Sequence, residues 1–289
     1  MKKIDKNKSL ISREQGIANF TNLQLGMTEK FVKKEATNYL EQAKSYLQEN
    51  AYPEAIDACV KAIAITPNDP APYRISGIAR MLIGDHADAL EDFALAIQQD
   101  PNDVETYLER GFMFYDLKDY ESAIADFSSV ISIDDQHAQA FFSRGYAYYD
   151  LEKFEEAIND FSKTIDLDPN HVEAWYNRGF ARFDIRNYRG AAADFTEVIK
   201  LRDDDLNAYA NRGEARYHLG HLRGAIADFT EVIKMDEEAA NAYYNRGVAQ
   251  SDLLNEYEAK QDLEMALSLN HPGAREALDK ILLSKDNRF

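Results

Sequence analysis

The sequence predicts an all-α protein, an α-solenoid of stacked antiparallel helix pairs, and three observations lead there. Gly77, Gly111, Gly145, Gly179, Gly213 and Gly247 are spaced 34 residues apart, as are Ala55, Ala89, Ala123, Ala157, Ala191, Ala225 and Ala259. Apolar residues between them recur at helical spacing, and Pro67, Pro101 and Pro169 fall where helices should stop. A unit of this length holds two helices and a turn and cannot bury its apolar face alone, so neighbours must stack into one elongated domain.

Taken in order, residues 1–35 read as a basic, partly helical arm. They hold eight Lys and Arg against four Asp and Glu, a net +4, so the remaining residues carry −22 of the total of −18. Ile4, Leu10, Ile11, Ile17, Phe20, Leu23, Leu25, Phe31 and Val32 give the arm apolar anchors, and Thr28 is placed to cap a helix over 28–49. Seven repeats follow over 36–69, 70–103, 104–137, 138–171, 172–205, 206–239 and 240–273. In the fourth, Phe141, Gly145 and Tyr148 share one face of the first helix, and Phe154, Ala157, Phe161 and Thr164 one face of the second. Glycine inside a helix costs roughly 1 kcal/mol relative to alanine, so six in phase imply that two helices approach closely. Gly145 is expected to face Ala157 of its own repeat. Asp135, Asp203, Glu237 and His271 replace the boundary proline elsewhere, which softens those boundaries. Residues 274–285 read as one more amphipathic helix that caps the stack within a 274–289 tail.

Composition excludes several functions. No run of about 18 apolar residues is present, so no membrane span is expected. The start has positive charge without a following apolar stretch, which makes the cytoplasm the expected location. An acidic chain repels phosphate backbones, so nucleic acid is not an expected partner. Cys59, the single cysteine, falls on an inward helix face and reads as a buried thiol.

The order of a large aromatic, glycine, tyrosine, then alanine, phenylalanine, alanine and proline resembles the tetratricopeptide repeat over residues 36–273. Trp175, Gly179, Tyr188, Ala191, Phe195 and Val198 carry the pattern in the fifth repeat, from which Arg182 and Asp203 depart. The resemblance implies a right-handed superhelix with a concave groove lined by the first helices, and a scaffold that binds proteins. The arrangement with which some family members clamp a terminal carboxylate is absent, because Leu108, Phe112, Ser143, Glu173 and Asn177 occupy the corresponding places.

Arg110, Arg144, Arg178, Arg212 and Arg246 precede the glycines. Asp92, Asp126, Asp160, Asp194, Asp228 and Asp262 precede the large apolar residue of each second helix. Both series border the core, where an unpaired charge is too costly, so arginine–aspartate pairs between packed helices are expected.

A second stripe supplies the candidate partner-binding residues. Leu108, Phe112 and Tyr115, then Phe142, Tyr146 and Tyr149, then Tyr176, Phe180 and Phe183 lie one residue beyond the core stripe, and Tyr217 and Tyr244 belong to the same set. These rings either pack on one another between first helices or line the implied groove for a partner's apolar side chains. Asn177, Asn211 and Asn245 recur beside the stripe. Their amides suit the backbone of an extended peptide, or else they solvate a helix face. The spacing is similar to the asparagine ladder in the repeats of O-linked N-acetylglucosamine transferase. Asp116, Asp150, Asp184 and Asp252 end first helices, with His218 in phase. A carboxylate there opposes the helix dipole by ~0.3–1 kcal/mol and needs a partner, either a nearby Tyr or Arg or a basic ligand.

No catalytic constellation, metal cluster or cofactor-binding loop is legible, and His218 and His221 read as solvated turn residues. Two functions fit. One is a non-catalytic adaptor that binds an extended or amphipathic segment bearing basic and apolar residues. The other is a homo-oligomeric scaffold whose basic arm docks in its own or a neighbour's groove.

Overall fold

The computed structural model describes residues 30–286. The arm over residues 1–29, Thr28 with its capping role, and residues 287–289 lie outside the described residues. Every regular element among those described is an α-helix, and none is long and apolar enough to cross a membrane. The chain divides into two compact units, which meet in sequence between Leu117 and Lys118.

The first unit contains α1 (30–48), α2 (Tyr52–Ile65), α3 (Pro70–Leu82), α4 (His86–Gln99) and α5 (Val104–Asp116). Ala43, Ala58, Cys59 and Ile75 form one core of this unit, and Ala89, Phe93 and Met113 another. Cys59 is fully enclosed, and burial pushes its thiol up to about 12, which leaves it protonated at neutral pH. The second unit contains α6 (Tyr120–Ile133), α7 (Ala138–Asp150), α8 (Phe154–Leu167), α9 (Val172–Asp184) and α10 (Tyr188–Leu201). It continues with α11 (Leu206–His218), α12 (Leu222–Met235), α13 (Ala240–Asp252), α14 (Glu256–Ser268) and α15 (Ala274–Asp286). Within each unit consecutive helices pack on one another, and α15 lays Leu278 and Ile281 on Ala259 and Leu263 of α14.

Turn geometry keeps the pairs in register. Asn50, Gly84, Lys118, Glu152, Arg186, Gly220 and Leu254 all have positive φ, and each directly follows the last turn of a first helix. The amide after the left-handed residue reaches back to the helix, as Asn187 does to the Arg182 carbonyl at 2.7 Å and His221 to Arg216 at 2.9 Å. This closure satisfies end carbonyls that would otherwise be orphaned. Five of the seven left-handed positions are not glycine, so the hydrogen-bonded turn outweighs the usual cost of that conformation.

The in-phase glycines do mark a close approach, although the partner differs from expectation. A Cβ at Gly145 would lie 2.9 Å from the Phe161 ring and 3.3 Å from Asp160, not against Ala157. Gly77, Gly179 and Gly213 meet Phe93, Phe195 and Phe229 in the same way, each at 2.8 Å, while Gly247 meets Leu263 at 3.0 Å. Ala157 is fully buried on the same stripe, but the larger side chain one helical turn further on fills the notch.

From Arg144 onward the arginine–aspartate pairs form, and they do more than pair, while Asp92 is met instead by Arg80 at 3.1 Å. Arg144 donates from Nε and Nη2 to Asp160 at 2.7 and 2.8 Å, while its Nη1 donates to Ser128 of the preceding second helix at 3.0 Å. Arg178 repeats this with Asp194 and Ser162, and Arg246 with Asp262 and Thr230. Each guanidinium thus ties three helices together. Arg182, which departs from the family pattern, and Arg216 add a second cation to Asp194 and Asp228 at 2.7 Å. Room for their stems comes from Gly190 and Gly224, where a Cβ would stand 2.9 and 3.3 Å from the arginine Cδ. Burial pushes the Asp160 and Asp194 carboxyls upward against the pull of their arginines, the desolvation cost expected of an enclosed ion pair.

Asp194→Asn strands two guanidiniums beside a side chain that is 1% exposed, and should cost ~3 kcal/mol in denaturant unfolding. Breaking the exposed Lys234–Glu231 pair should cost under ~1 kcal/mol. Equal shifts for the two variants would contradict this assignment.

Candidate functional site

On α7 and α9 the second stripe emerges on one side of the helix as a band of half-buried side chains. On α7, Phe142 and Tyr146 meet edge-to-face at 5.0 Å, and both lean on Phe161, which is wholly buried. On α9, Tyr176 and Phe180 stack at 5.5 Å over Phe195. The rings therefore close the core of their own repeat with one face and leave the other partly open. In the first unit, Leu108, Phe112 and Tyr115 of α5 are likewise half-buried, and Asp116 is exposed.

Hydroxyl groups on the stripe link successive first helices. Tyr149 of α7 donates to Oδ2 of Asp184 at the end of α9, and Tyr217 of α11 donates to Oδ2 of Asp252 at the end of α13, both at 2.7 Å. These two terminal aspartates thus have internal partners one repeat back. Where the fifth repeat has Phe183, the sixth answers with His218, which lies edge-on to Phe183 at 5.5 Å and stacks on Tyr188 at 4.6 Å. His218 is therefore a packed residue as well as an exposed one, a correction to its reading as a solvated turn. Tyr176 reaches Oδ1 of Asp205, the N-cap of α11, at 2.8 Å, and Asn211 bonds the same hydroxyl. Burial, and then the adjacent carboxylates, push Tyr149, Tyr176 and Tyr217 upward, Tyr217 to about 12.

The asparagines do not form a uniform ladder. Asn177 donates to the Glu173 carbonyl of its own helix at 2.6 Å, and Asn211 serves Tyr176. Asn245 instead lines two adjoining clefts between α11 and α13, of about 350 and 260 Å³, together with Phe229. Tyr217 and Tyr244 line the smaller of the two. Tyr244 and Val248 also form the wall of a third cleft, of about 420 Å³, bounded by Leu254, Lys280 and Ile281. Asp150 is exposed at the end of α7. Among the described residues, no group of three or more His, Cys, Asp or Glu is placed to hold a metal ion.

Sequence reasoning missed the secondary arginines and the clefts. Arg80, Arg182 and Arg216 share one repeat position, and the last two are followed eight residues later by Gly190 and Gly224. That coincidence was a legible signal. The clefts arise where the stripe lacks a ring, and a search for recurring residues passes over such gaps.

Family models described as TPR repeat and Tetratricopeptide repeat match residues 145–185, and residues 77–138 and 213–259, respectively. No curated protein sequence matches the chain. Among solved structures, the C-terminal part of a TPR repeat-containing protein from Cytophaga hutchinsonii is similar with a TM-score of 0.70 and 18% identity, over 83% of this chain and 99% of that one. YrrB, described as a TPR protein with an unusual peptide-binding site, gives 0.59 and 24%, over 64% and 96%. MamA from Desulfovibrio magneticus RS-1 gives 0.54 and 26%, over 59% and 97%.

Because the folded pKa of Tyr217 lies above its ordinary value of 10.0, its contribution to stability is complete below pH 10 and is lost as pH rises toward 12. Tyr217→Phe should cost about 0.5–1 kcal/mol below pH 10, and thermal melts should show the gap from wild type closing as pH rises through that window. A gap independent of pH would contradict the tyrosine–aspartate bond.

Proposed function

The chain belongs to the tetratricopeptide repeat family, a family of protein-interaction scaffolds, and from that premise we propose that it is a non-catalytic adaptor binding an extended or amphipathic segment of a protein partner. The contact surface is the stripe side of the first helices. In the second unit it comprises Phe142, Tyr146, Tyr149 and Asp150 of α7, Tyr176, Asn177, Phe180, Phe183 and Asp184 of α9, Asn211 and Tyr217 of α11, and Tyr244, Asn245 and Asp252 of α13. In the first unit Leu108, Phe112, Tyr115 and Asp116 of α5 hold the same repeat positions.

One observation carries this reading. The aromatic side chains of the stripe are held on the core by one face yet stay half-exposed, and on α11 and α13 they border clefts. Rigid rings at the edge of open clefts offer apolar contact at low entropic cost, which is how binding energy concentrates in few residues. The acidic balance adds long-range attraction for basic segments and speeds their encounter. No catalytic step is assigned to any residue, and the cytoplasm is the proposed location.

Phage-displayed peptides selected on the protein should lose roughly thirtyfold or more in affinity on Tyr146→Ala with Phe180→Ala, measured after circular dichroism shows the variant to be helical. Equal affinity for variant and wild type, or no selectable peptide, would sink the proposal.

The charge asymmetry supports a second reading. Residues 1–35 are net positive and the remainder strongly negative, so one molecule's arm suits another's body in a homo-oligomer. Light scattering at rising salt tests it: dissociation of a defined oligomer as charges are screened is expected, and a monomer at every salt concentration excludes it.

A further inference from the structure

The stripe is interrupted inside the second unit. Where the fourth, fifth and seventh repeats carry Phe142, Tyr176 and Tyr244, the sixth carries Ala210, and where they carry Tyr146, Phe180 and Val248 it carries Glu214. The two missing side chains open the adjoining clefts of about 350 and 260 Å³. Ala210 lines the first and Glu214 the second, and Phe229 and Asn245 are common to both. Phe229 is only 1% exposed, so the shared floor is apolar and closed.

Charge in this gap is one-sided. No Lys or Arg lines either cleft. The two arginines of α11, Arg212 and Arg216, are both committed to Asp228, at 2.7 Å each. Glu214 is exposed at the rim, with no ion pair or hydrogen bond among the described residues. Asp236 lines the first cleft and the imidazole of His218 the second.

We infer that this interruption is the specificity subsite of the groove, and that it takes one Lys or Arg side chain from an extended segment of a partner protein, with Glu214 holding the cationic head. The inference rests on the reading above that an extended segment lies along the first helices. A long basic side chain matches the gap in both its parts. Its methylene stem covers the apolar wall formed by Val248 and Tyr244, and its charged tip remains at the wet rim. There the carboxylate of Glu214 accepts a charge-assisted hydrogen bond, bidentate for Arg, and Tyr217 and Tyr244 line the same cleft. Asn245, on the wall common to both clefts, has an amide suited to the ligand's backbone next to that residue. A neutral side chain gains only the stem contact, and an acidic one is repelled.

The test uses the full chain and capped ten-residue peptides of Ala, Ser and Leu that differ only in a central Arg, Lys, Gln, Leu or Glu, with affinity read by fluorescence anisotropy. Arg and Lys peptides are expected to bind roughly tenfold tighter than the Gln peptide, the worth of one charge-assisted bond near a surface. Glu214→Gln should bring that ratio close to one without weakening the Leu peptide. Glu156→Gln, which removes the same charge from an exposed site on α8, should leave the ratio intact. Ala210→Tyr restores the ring found in neighbouring repeats and should reduce Arg and Lys binding by filling the gap. Binding of all five peptides with no basic preference, or a preference that Glu214→Gln does not change, overturns the subsite and leaves the extended-segment reading standing. No binding by any peptide overturns both. If a synthetic peptide of residues 1–27 displaces the Arg peptide in a Glu214-dependent way, the subsite belongs to the chain's own arm and its assignment to a partner falls.

Discussion

An absent Cβ sets the spacing of this molecule. At Gly77, Gly145, Gly179 and Gly213 the first helix presents bare backbone, and the ring of Phe93, Phe161, Phe195 or Phe229 lies where a methyl group would otherwise stand. The contact fixes how near the two helices of a pair can come. At that separation, from Gly145 onward, a guanidinium on the residue before glycine reaches the aspartate of the second helix, with one N–H left to reach back to the preceding repeat, whereas Ser76 stands before Gly77 and Asp92 is met by Arg80. Hydrophobic filling thus positions the polar bond, and the bond secures the stacking order. Since each repeat contacts mainly its neighbours, this geometry is passed along a unit step by step.

Much of this was legible in the sequence because it repeats. The helix pairs, the boundaries near Pro67, Pro101 and Pro169, the arginine–aspartate series and the buried Cys59 all follow from period and polarity. What escaped notice depends on three-dimensional reach. The partner of Gly145 is Phe161 rather than Ala157, because the larger side chain one turn further on fills the notch. Non-glycine residues such as Glu152 and Arg186 adopt left-handed conformations because a hydrogen-bonded turn holds them there, and nothing in their chemistry announces it.

The candidate site shows the same division. The stripe of half-buried rings could be placed from spacing, whereas the fates of the individual asparagines and aspartates could not. Asn177 turns inward to its own helix, Asn211 serves a tyrosine hydroxyl, and Asn245 faces open clefts. Asp184 and Asp252 are held by tyrosines from the preceding repeat, which answers the dipole penalty at their helix ends. The regular part of the stripe therefore serves architecture as well as surface. The proposed subsite lies where the regularity fails, at Ala210 and Glu214.

On the proposed reading a ligand lies along the first helices and crosses α11 and α13 at the interruption. Photo-crosslinking tests it most directly, with a benzophenone residue placed beside the basic position of a bound peptide and the attachment sites mapped by mass spectrometry. The account predicts attachment within Leu206–His218 and Ala240–Asp252, lost when Ala210 is replaced by Tyr. Attachment concentrated on the second helices, such as Leu222–Met235, would contradict it.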